Sequence, residues 1–95
     1  MPEMRFLIRW PDGTAESCYS PSLVIKDFFS PGQDYALADF VGKSRTALNI
    51  ASERVKAKYG FSCSSAMDQL ARIEQAAATF AHLPDARVVI DAFQE

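Results

Sequence analysis

Histidine and cysteine are scarce in this chain, with one His and two Cys among 95 residues. A metal site would have to gather Cys18, Cys63, His82 and a carboxylate from distant points, because neither a CxxC pair nor a closely spaced His pair occurs. No metal or other cofactor is therefore expected. The four glycines, Gly13, Gly32, Gly42 and Gly60, stand alone, so no glycine-rich phosphate loop is present. No apolar run approaches the roughly 18 residues of a membrane helix, and no membrane contact is expected. The opening Met1-Pro2-Glu3-Met4-Arg5 lacks the basic-then-apolar layout of a secretory signal. With two widely separated cysteines, that points to a reduced, cytoplasmic protein. The spacing leaves a Cys18–Cys63 disulfide open, and such a compartment disfavours it.

What is present fits one domain over residues 1–95. The chain is 48% hydrophobic, 12% aromatic and 23% charged, which excludes a disordered tail, a collagen-like repeat and a disulfide scaffold. The net charge of −2 conceals a pattern. Residues 43–58 carry Lys43, Arg45, Arg54, Lys56 and Lys58 against Glu53 alone, while both flanks are acidic. The plain reading of this basic stretch is a solvated helix face paired with acidic neighbours. The sharper reading is an anion or nucleic-acid contact, and a pI near 5.3 argues against bulk nucleic-acid binding.

Met4, Phe6, Ile8 and Trp10 alternate with Arg5, Leu7 and Arg9, the period of a strand with one apolar face. Pro11-Asp12-Gly13 supplies turn residues for a hairpin, with a weakly alternating return strand over Thr14–Tyr19 that suits a sheet edge. Ser20-Pro21 reads as a capped start of a short helix over Pro21–Phe29. Leu37, Val41, Ser44, Leu48, Ala51 and Val55 step by four and three, with Phe40 and Ala47 widening the stripe. This is one face of a helix of about twenty residues, which Gly60 ends as a left-handed cap. A further helix starts at the Ser62–Ser65 cluster, with a stripe through Met67, Leu70, Ile73 or Glu74, Ala77, and Phe80 or Ala81. Arg87–Phe93 is rich in β-branched residues, and Val88-Val89-Ile90 suggests a central strand buried on both faces.

The order β-β-α-α-α-β predicts an α+β fold: a small antiparallel-type sheet of about three strands, covered on one face by two long amphipathic helices. So small a core makes self-association or a protein partner a natural complement.

Cys63 is placed at a helix N-terminus, where free amides and the helix dipole stabilise a thiolate. The plainer reading is a small buried side chain in a serine-rich cap. His82 lies towards the far end of the same helix, about 28 Å away at 1.5 Å per residue, too far to serve as its base. It suits instead the free carbonyls of a helix end. Cys18 reads as a strand side chain packing inward. Gly42 costs about 1 kcal/mol against alanine inside a helix; it marks either a close approach, by a crossing helix or a partner, or a tolerated cost. The helix–glycine–helix junction at 59–62 resembles a DNA-reading motif. Its second helix, however, offers only mixed side chains in Asp68, Gln69, Arg72, Glu74 and Gln75.

Longer phrases carry a family resemblance. They are Met1-Pro2-Glu3-Met4, Trp10-Pro11-Asp12-Gly13, the run from Cys18 to Asp27, Asp39-Phe40-Val41, Ser44-Arg45, Ala47-Leu48, the run from Ile50 to Val55, Tyr59-Gly60-Phe61, Cys63-Ser64 and Met67-Asp68-Gln69-Leu70. Over residues 1–75 or so the chain resembles a nitrogen-starvation response family of short bacterial proteins encoded in nitrilase-associated gene clusters. The resemblance implies a cytoplasmic accessory protein in nitrile or cyanide nitrogen assimilation. Its neighbours would be a nitrilase, a radical-SAM protein, an acetyltransferase-like protein and a flavoprotein. It brings no catalytic residue with it.

Three functions follow as expectations. The first is a non-catalytic accessory protein acting through self-association or a co-encoded partner. Its contact surface would be Trp10, Asp12, Tyr19, Ser20 and Lys26 with Arg45 and Arg54 of the basic helix, since aromatic and basic side chains anchor interfaces. The second is a Cys63-dependent thiol enzyme or redox sensor. The third is a nucleic-acid-binding regulator using residues 43–58.

Overall fold

The computed structural model describes residues 3–61 and 64–95. Strand β1 (Met4–Arg9) carries the alternation expected of it: Met4, Phe6 and Ile8 are buried, while Arg5 and Arg9 face out. The chain reverses through Pro11–Gly13, where the Trp10 carbonyl accepts from Gly13 N–H at 2.8 Å and Trp10 N–H donates to the Thr14 carbonyl at 2.8 Å. Gly13 has φ 90°, a conformation that costs glycine little. The return strand β2 (Ala15–Ser20) pairs antiparallel with β1 from Met4↔Ser20 to Arg9↔Ala15.

The helix expected over Pro21–Phe29 shrinks to α1 (Ile25–Phe28). Local hydroxyl bonds take its place. Ser20 Oγ donates to the Ser22 carbonyl at 2.8 Å, and Ser22 Oγ accepts from Val24 N–H at 3.3 Å. Side chains that satisfy the backbone locally compete with a regular helix.

Next comes a short strand, β3 (Asp34–Ala36), so the sheet has four strands rather than about three. Three residues are too few to display a period. What makes the strand is pairing with the far end of the chain. Gly32 N–H donates to the Ile90 carbonyl at 2.7 Å, and Ile90 N–H returns a bond to Gln33 at 2.9 Å. Helix α2 (Leu37–Tyr59) follows, closed by Gly60 at φ 83° with its N–H on the Lys56 carbonyl at 2.8 Å. Helix α3 (Ser64–Phe80) and strand β4 (Arg87–Gln94) complete the fold.

The sheet is antiparallel throughout, in the order β2-β1-β4-β3. β2 lies at an edge and β4 inside, as the sequence indicates. The register between β1 and β4 shifts between Leu7 and Ile8, leaving Asp91 as the extra residue of a bulge. Its carboxylate reaches Arg9 at 3.3 Å on the uncovered face. Burial of β4 on both faces is only partial: Val88 and Ile90 are buried, and Val89 on the open face is half-buried.

The core joins Phe6, Ile8 and Ile90 of the sheet to Phe40, Leu48 and Ile73 of the helices. Each such side chain contributes roughly 1.5–3 kcal/mol of burial. Rings tie the layers together. Phe40 meets the Trp10 ring edge-on at 5.6 Å and Phe29 at 5.3 Å, and Phe80 stacks on Trp10 at 5.9 Å. In α3 the inward positions are Ala66, Gln69, Leu70, Ile73 and Ala77. Ile73 rather than Glu74 therefore faces the core. Leu37 and Val41, first on the expected α2 stripe, are only half-buried.

Candidate functional site

Of the residues expected to form a contact surface, Trp10 and Ser20 are buried. Trp10 is 4% exposed, and its Nε1 donates to Glu16 Oε1 at 2.8 Å. It is a core residue, because the ring is the last inward position of the β1 alternation and finds Phe40 and Phe80 there. Ser20 is also fully buried, its hydroxyl spent on Ser22. Asp12 is exposed in the hairpin turn. Its Oδ1 accepts from Thr14 N–H at 2.9 Å, and that bond holds its carboxyl below the usual range. Tyr19 is half-buried, with its hydroxyl on Glu3 at 3.1 Å. Lys26 pairs with Glu95 at 2.9 Å. Asp12 and Ser20 lie at opposite ends of β2. The structure does bring Arg54 to the Ser20–Ser22 turn, where its guanidinium donates to Ser22 Oγ at 3.0 Å.

Two of the five cations in the basic stretch of α2 are matched from within. Lys43 meets Asp39 at 3.2 Å and lies over the Tyr35 ring at 4.6 Å. Arg45 reaches across to Glu74 of α3 at 2.9 Å. Exposed pairs of this kind are worth about 0–1 kcal/mol, and among the described residues Arg54, Lys56 and Lys58 make no ion pair.

Cys63 lies outside the described residues. Cys18 is a free thiol with none of its surface exposed, and burial first, then the Glu16 charge, pushes its pKa well above the usual thiol range. That is an inert packing residue. Among the described residues, no three His, Cys, Asp or Glu side chains stand close enough to hold a metal ion, and no helix is long and apolar enough to cross a membrane.

What the fold creates instead is a groove of about 690 Å³ between the start of α2, the end of α3 and the 81–87 segment. Its walls are small or apolar: Leu37, Val41 and Gly42 from α2, Ala78 from α3, and Ala81 and Leu83 beyond it. Leu83 is 40% exposed at its margin. Gly42 has no heavy atom within 4 Å of where a Cβ would sit. Among the described residues no helix approaches it closely, so of the readings of this glycine the crossing helix drops out, and the residue opens onto the groove.

Both guanidinium groups at the groove are already spent, and exposed Asp85 on its rim makes no ion pair among the described residues. Arg45 is held by Glu74, and Arg87 by Asp34 at 2.7 Å. The Arg87 hydrogen bond lowers the Asp34 pKa, and the Asp34 carboxylate in turn raises that of Arg87. The groove therefore presents apolar surface framed by two neutralised pairs and the Asp85 carboxylate.

Two residues that matter were not singled out from the sequence. Leu83 follows a helix end with no periodic context, so no signal marks it. Gln69 could have been found. It stands three after Ala66 and four before Ile73, on the inward face of α3, where a polar side chain is out of place. There its Oε1 accepts from Tyr19 N–H on the edge of β2 at 2.9 Å.

The family described as nitrogen starvation-induced protein NitG matches residues 5–93. Neither a curated protein nor a solved structure matches the chain.

Proposed function

The chain belongs to the NitG family of nitrogen starvation-induced proteins, and on that premise we propose that it is a non-catalytic accessory protein that works through protein contacts. Its setting is the assimilation of nitrile or cyanide nitrogen, beside the products of a nitrilase gene cluster. The observation that carries the reading is the groove at Gly42. A hollow walled by small residues stands next to an exposed leucine, with its guanidinium groups already paired. A knob beside a hole on one surface is self-complementary, as a two-fold contact requires. The occupant of the groove is therefore a second copy of this chain, with Leu83 of each copy entering the groove of the other.

Light scattering on the chain alone is expected to give twice 10.5 kDa. Leu83→Asp changes an exposed side chain and is expected to return the single mass with unchanged helix content. Co-expression with the nitrilase-cluster products should retain one of them on the tagged chain. A chain that stays single and captures none of them overturns the reading.

A further inference from the structure

A second hollow, of about 410 Å³, lies at the other end of α3, against the β2 edge. That size falls within the roughly 300–1,000 Å³ typical of small-molecule sites. Its lining is polar: Arg5, Tyr19, Ser65, Asp68, Gln69 and Arg72.

Gln69 is the telling residue. It is 5% exposed, and its amide orientation is fixed, because Tyr19 N–H can only donate and so must face the amide oxygen. The nitrogen then points elsewhere, and Gln69 Nε2 is buried with no hydrogen-bond partner. Buried polar nitrogens are nearly always satisfied, so an orphan in the wall of a polar hollow marks a place for an acceptor.

The charged groups around it make no ion pair among the described residues, although Arg72 and Asp68 stand one helical turn apart. Arg5 sits over the Tyr19 ring at 5.8 Å and has only a 3.5 Å contact to the Ser17 hydroxyl. A ligand that satisfies this set needs an anionic acceptor for Gln69 and the guanidinium groups, and a cation for Asp68. A carboxylate matches guanidinium in a bidentate manner.

We propose that the hollow binds a free amino acid as its zwitterion. The carboxylate lies on Arg5 and Arg72 and accepts from Gln69 Nε2. The ammonium donates to Asp68. The site is separate from the groove, and neither reading depends on the other.

The test titrates glycine and the other common amino acids, with acetate and methylamine as half-ligands, into the isotope-labelled full chain. The readouts are the side-chain amide signals of Gln69 and the backbone signals of Tyr19 and Ser65. At least one amino acid is expected to move them, with acetate and methylamine each at least about tenfold weaker. Arg72→Gln and Asp68→Asn change exposed side chains and should keep the fold. Each is expected to weaken that amino acid by about tenfold or more. Acetate binding as tightly as every amino acid would make this a simple anion site and overturn the proposal. So would Gln69 signals that stay still up to about 100 mM of every amino acid, a concentration above any specific small-ligand affinity.

Discussion

The two ends of α3 make opposite hollows from one helix. At its start, among the described residues, Asp68 and Arg72 make no ion pair and the Gln69 amide nitrogen has no hydrogen-bond partner. At its end, Ala78 and Ala81 face Gly42, and the nearby Arg45 and Arg87 are both matched by carboxylates. Where charges are spent internally, what remains is apolar surface, which favours another protein surface. Where they are left open, desolvation is tolerable only for a ligand that brings the opposite charges.

The strongest way to break the comparison is to remove what holds both hollows in place. Phe40 is fully buried against Trp10 and Phe29. Phe40→Ala is expected to cost about 3–5 kcal/mol in a urea melt, with both sites lost together. A smaller effect separates the two walls. Gln69→Leu deprives Tyr19 N–H of its acceptor and should cost about 1–3 kcal/mol. Ala78→Leu, on the exposed groove wall, should stay within about 0.5 kcal/mol. Equal costs at the two positions would show that the hollows do not differ in this way.

The sequence carries the frame of this contrast but not its detail. The period of β1, the stepping of α2 and the Gly60 stop are local signals, and each has its expected place in the structure. β3 and the groove arise from contacts between residues some fifty positions apart, such as Asp34 with Arg87, which no local pattern encodes. Trp10 shows the other side of this. Read as an interface anchor by its residue type, it obeys instead the period of its strand. Its burial was legible from spacing and obscured by chemistry. Gln69 stands in the same position with the outcome reversed: spacing puts it inside, and its polarity then becomes the clue.

Gly42→Ala gives a gentler test of the groove. With no atom of its own chain within 4 Å of the new Cβ, the variant should gain about 0.5–1 kcal/mol of helix propensity at concentrations too low for two copies to pair, and that gain should shrink where a second copy fills the groove. The same gain at every concentration would mean that the groove stays empty in solution.

The smallest effect concerns the charge pairing that distinguishes the groove. Arg87 holds the Asp34 carboxyl below its ordinary value of 3.8. A group whose pKa is lowered by folding adds stability above its ordinary value and loses it as pH falls through the lower folded one. Asp34→Asn removes that contribution. The variant should therefore be slightly less stable than the parent at neutral pH, and the gap should close as pH falls below 3.8. Both side chains are exposed to solvent, at 51% and 52%, so added salt should shrink the neutral-pH gap as well. Paired urea melts at neutral and acid pH, with and without salt, measure it. A gap that persists in acid would assign the effect to the shape of the β3 turn rather than to charge. Arg87 would then stand at the groove as free as Arg72 does at the hollow.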